Sequence, residues 1–86
     1  MPRPGLTHHF EYDGQQFMVH VHQTANLSAT HYEACVCTAT MMQQGRAVRL
    51  VADNGAAMFL VDAPSMDRAA SFIEDVVRKG GLHTEA

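Results

Sequence analysis

Charge is scarce in this sequence, and positive charge is scarcer. Only 17% of the 86 residues are Asp, Glu, Lys or Arg, and nine acids outnumber six bases to leave a formal net charge of −3. A nucleic-acid binder draws much of its affinity from phosphate contacts and shows a basic patch or stripe. Here Arg46, Arg49, Arg68, Arg78 and Lys79 are scattered along the chain. Aromatics make up 7% and are not interleaved with Lys or Arg, so a stacking platform for single strands is also missing. No nucleic-acid partner is favoured on these grounds. A regulatory, antitoxin-like domain that binds nucleic acid through one local patch stays open as an alternative.

Long apolar runs are absent as well. No stretch approaches the roughly 18 residues that a membrane-spanning helix needs. Met1-Pro2-Arg3-Pro4-Gly5-Leu6 leads into no apolar segment, so neither a signal peptide nor a membrane partner is expected. Cysteine is limited to Cys35 and Cys37. Residues two apart in a strand have Cα atoms roughly 6.5–7 Å apart, at or beyond the reach of an easy disulfide. Reduced thiols and a cytoplasmic location are the expectation.

Signatures of catalysis are missing too. None of the glycines forms Gly-x-Gly-x-x-Gly, no Gly-x-Ser-x-Gly elbow occurs, and the cysteines lie in no local protease signature. The acids Asp53, Asp62, Asp67, Glu74 and Asp75 have structural explanations in a turn, a loop, a helix start and a solvated helix face. A non-catalytic protein without cofactors is expected.

What is present is enough apolar material for a core, 47% of residues, in a length that makes one domain. Residues 1–6, with two prolines and a glycine, read as a flexible tail. The domain proper runs over residues 7–81, and 82–86 reads as a second tail.

Thr7–Tyr12 and Gln15–Gln23 flank Asp13-Gly14, a type I′ hairpin signal. A two-residue turn places Phe10 opposite Phe17 and His8 opposite Val19. Tyr12, Phe10, Phe17, Val19 and Val21 then share one face, and Glu11, His9, Gln16, Met18, His20 and His22 the other. Thr24–Thr30 reads as a polar connector. The segment from Ser28 to Gln43 fits either a strand or a helix by periodicity. Its β-branched Val36, Thr38 and Thr40 favour the strand.

Asn54-Gly55 signals a second hairpin between Arg46–Ala52 and Ala56–Asp62, with Leu50 facing Phe59 and Val48 facing Val61. Ser65 is an N-cap candidate ahead of a helix whose stripe is Met66, Ala69, Ala70, Ile73, Val76 and Val77, closed by Lys79-Gly80-Gly81. The fold class that follows is α+β: an antiparallel β-meander of about five strands with one C-terminal helix packed on the sheet. If residues 28–43 are helical, the alternative is ββαββα.

Two constellations bear on function. His20-Val21-His22 presents two imidazoles to one side of a strand, and Cys35-Val36-Cys37 presents two thiols. With matching parity these four would converge as zinc ligands, but the spacing fits no defined zinc motif. Histidines on a solvated sheet face and cysteines filling a core are the simpler account, and no metal is expected.

The second constellation is an apolar surplus. Val51, Met58 and Leu60 fall opposite the face that one helix can cover, unless a loop or the N-terminal tail shields them. They form a candidate interaction face. A small interaction module, homo-oligomeric or bound to a protein partner, is therefore the leading expectation.

Overall fold

The computed structural model describes residues 5–23 and 33–84. The Asp13-Gly14 turn organises the first pair of strands, β1 (Gly5–Tyr12) and β2 (Gln15–Gln23). Both turn residues have positive φ, 55° and 74°, as a type I′ turn requires. The register is the one read from the sequence, with Phe10 opposite Phe17 and His8 opposite Val19. Gly5 and Leu6, expected to lie in a tail, belong to β1, and Leu6 packs against the core; residues 1–4 lie outside the described residues. The connector Thr24–Thr30 lies outside the described residues.

The ambiguous third segment is a strand, β3 (Glu33–Gln43), and it is the longest of the sheet. Its core-facing positions are Cys35, Cys37 and Ala39, all buried, with Val36, Thr38 and Thr40 on the reverse face. The Gln44-Gly45 turn, again with both φ positive, leads into β4 (Arg46–Val51). β3 pairs with β2 along one edge. Its other edge is divided, with β4 on Thr40–Gln43 and β5 (Phe59–Ala63) on Glu33–Cys37.

This division corrects the second hairpin. Ala52 and Gly55 close a tight turn through a 2.8 Å bond from the Gly55 N–H to the Ala52 carbonyl, and Ala52 N–H reaches the Ala56 carbonyl at 2.9 Å. Asp53-Asn54 is therefore the central pair, and Gly55 follows at φ 85°, a left-handed position that glycine takes without steric cost. This is a three-residue loop with a bulge rather than a two-residue Asn-Gly turn. It does not carry β4 back onto itself. Instead the chain rejoins β3 further along, so β4 and β5 run in the same direction. Leu50 pairs with Thr84 rather than Phe59, and Val61 pairs with Cys35 rather than Val48.

The helix α1 (Met66–Arg78) starts as expected, with the Ser65 hydroxyl accepting from the Arg68 N–H at 3.3 Å. Ala69, Ala70, Ile73 and Val77 bury against the sheet. At its C-terminal end Glu74 binds His8 of β1, and Arg78 lies 5.5 Å above the Phe10 ring and 5.3 Å above that of Tyr12. The segment read as a second tail contributes a further short strand, β6 (His83–Thr84), paired with Leu50 and Val51, and Leu82 packs on the core. The strand order is β1-β2-β3-β4-β6, with β5 beside β3. The helix covers one face of this antiparallel sheet and leaves the other uncovered by any described element.

Candidate functional site

The uncovered face follows from strand alternation. Its rows run across the sheet as cross-strand pairs: Thr7, His20 and Thr38; His9, Met18, Thr40 and Arg49; then His22, Val36 and Leu60. The imidazole Nδ1 of His20 lies 3.2 Å from the Thr7 hydroxyl. Leu60 is 73% exposed and Met58, just before β5, is 66% exposed.

Val51 does not belong with them. It is 8% exposed, so the candidate face loses one of its three residues. Two-residue periodicity gives a side chain's direction but not what lies above it. Here the pairing of Val51 with His83 of β6 brings neighbouring chain that alternation cannot reveal.

The parity of β2 and β3 settles the arrangement of the four metal-ligand candidates. His20 pairs with Thr38 and His22 with Val36, whereas Cys37 pairs with Val21. The imidazoles of His20 and His22 therefore stand on the uncovered face, and the thiols of Cys35 and Cys37 point into the core, where both are fully buried. The sheet separates the two pairs, and the four do not converge. Among the described residues no three His, Cys, Asp or Glu side chains group to hold a metal ion. Burial, then the neighbouring Cys35, pushes the Cys37 thiol up to about 11. Neither cysteine is in a disulfide.

Sequence reasoning missed two features. The first is the contact of His8 with Glu74. Its signal was available, because the Asp13-Gly14 register places His8 on the helix-covered face. The expectation of a solvated face for Glu74 accounts only for its i,i+4 partner Arg78, 2.8 Å away, and omits the strand beneath it. The hydrogen bond from His8 holds the Glu74 carboxyl below its usual range; partial burial opposes this and Arg78 adds to it.

The second is a cleft where β4 and β5 part. Thr38, Ala39, Thr40, Arg49, Ala56, Ala57 and Met58 line it. No reading of the second hairpin as a continuous ladder would have exposed it.

No family model matches the chain, and no curated protein or solved structure does either. Among the described residues no helix is long and apolar enough to cross a membrane.

Proposed function

We propose that this protein is a small non-catalytic interaction module that self-associates through its uncovered sheet face. The observation carrying the proposal is the exposure of Leu60 and Met58 on the face opposite α1, beside the half-buried Val36. Each large apolar side chain left wet forgoes roughly 1.5–3 kcal/mol that a covering surface would recover. Contiguous exposed apolar side chains on a small domain mark contact surfaces.

A second copy is the occupant that the charge pattern favours. Among the described residues, the formally charged side chains that alternation puts on this face are Glu11, Arg49 and Asp62, which lie on different strands. These three charges are dispersed, so two such faces packed about a twofold axis present no block of like charge to each other. Sheets stack face to face at about 10 Å, a spacing that Leu, Met and Val side chains fill.

The test is sedimentation or light scattering of the unmutated protein and of Leu60→Glu. The unmutated chain is expected to be oligomeric at micromolar concentration and the variant a folded monomer. A monomeric unmutated protein at high micromolar concentration would refute self-association. A different protein partner or a covering segment would then account for the face.

A further inference from the structure

The cleft between β4 and β5 is unlike the rest of the uncovered face. It is a solvent-open cleft of about 540 Å³, walled by Ala56, Ala57 and Met58 from the segment between β4 and β5 and by Thr38, Ala39, Thr40 and Arg49 from the sheet. We propose that this cleft binds a small organic anion, a carboxylate or phosphate bearing a short aliphatic body.

Charge decides the sign of the ligand. Arg49 is the single ionisable side chain of the lining. Among the described residues it has no carboxylate partner, whereas Arg78 is engaged by Glu74. A guanidinium offers a planar fork of donors matched to carboxylate and phosphate oxygens. A cation in the cleft would be repelled by Arg49, and a wholly apolar ligand would desolvate it without return.

Further donors converge on the same space. Thr40 is the cross-strand partner of Arg49, and Thr38 lies two residues along on the same face, so both side chains line the cleft together with Arg49. The backbone ladder also breaks at this point. Gln43 and Arg46 flank a two-residue turn and exchange both their hydrogen bonds, so alternation turns the N–H and C=O of Met41, Ala39 and Cys37 toward the β4–β5 edge. Met41 meets Val48 there and Cys37 meets Phe59, while neither β4 nor β5 pairs with Ala39. The alanines and Met58 supply the aliphatic wall, and the volume lies within the roughly 300–1,000 Å³ typical of small-molecule sites.

The experiment is an amide NMR titration of the full chain with butyrate and, separately, with inorganic phosphate, both at constant ionic strength. Saturable shifts centred on Thr38–Thr40, Arg49 and Ala56–Met58 are expected, from butyrate if the site is shaped for carboxylates and from phosphate if for phosphoryl groups. Arg49→Ala should raise the Kd by about tenfold or more, with Arg49→Lys between the two. Arg49 is exposed, so the fold should survive, and unchanged shifts in α1 verify this. Arg46→Ala, an exposed arginine of the same strand outside the lining, should leave the Kd unchanged. Shifts that never saturate with either anion, or an Arg49→Ala titration that matches the unmutated one, would overturn the proposal.

Discussion

His8 and Glu74, 66 residues apart in the chain, share a hydrogen bond of 2.6 Å between the imidazole Nε2 and Oε1. The other carboxylate oxygen, Oε2, accepts from Arg78 Nε at 2.8 Å. One carboxylate thus joins the first strand to the last turn of the helix.

This contact makes stability depend on acid. The Glu74 carboxyl titrates below its ordinary 4.5 in the folded protein, chiefly through His8, so protons bind the unfolded chain more readily. The stabilisation is fully present above the unfolded value and is lost as pH falls through the folded one. Chemical denaturation from pH 7 down to pH 3 is expected to show a falling midpoint for the unmutated protein. Glu74→Gln should have a shallower acid limb, and an identical limb in both would remove Glu74 from the account.

Ile73 is 2% exposed at the centre of the helix–sheet interface. Truncation to alanine removes buried methylenes and leaves a cavity, at a cost of about 2–5 kcal/mol. Urea unfolding of Ile73→Ala measures it. A loss under about half a kcal/mol would be the size of an ordinary surface substitution and would contradict the packing.

Cys37 should be chemically silent in the folded state. Its thiol is fully buried and raised to about 11, so little thiolate forms near neutral pH. Iodoacetamide labelling followed by mass spectrometry is expected to be slow in buffer and fast in denaturant. The raised thiol also makes stability fall as pH climbs from about 9, its unfolded value, toward 11. Rapid labelling of Cys37 in the native protein would show that the core opens readily.

Chelation should leave the fold untouched. A structural metal contributes folding free energy directly, so its removal lowers the melting temperature. With His20 and His22 on one side of the sheet and Cys35 and Cys37 on the other, no change in Tm is expected on adding EDTA. A drop abolished by His20→Ala would require a metal bound through the uncovered face.

The first hairpin was legible down to its register because a two-residue loop leaves one pairing, and Phe10 opposite Phe17 follows from Asp13-Gly14 alone. The helix was equally readable, since Ser65 marks its start and Ala69, Ile73 and Val77 its buried side. The second hairpin was read half correctly. The facing sets survive, with Leu50, Phe59 and Val61 toward the core, because alternation is local. Their partners do not, because an eleven-residue β3 offers more edge than the six residues of β4 can satisfy, and β5 takes the remainder. β6 was invisible because two residues show no period. The cleft at Arg49 could not be foreseen for the same reason as β5: it exists only because two strands share one edge of a third.

That sharing has a consequence for how the native state opens. β4 and β5 are both bonded to β3 but are not paired with each other. One flank of the sheet is therefore two separate flaps, β4 with β6 and β5 with the approach to the helix. Each can lift from β3 without breaking the other's ladder. Hydrogen exchange should resolve them as two opening units with different protection, while the β2–β3 seam, continuous over seven paired positions, exchanges last.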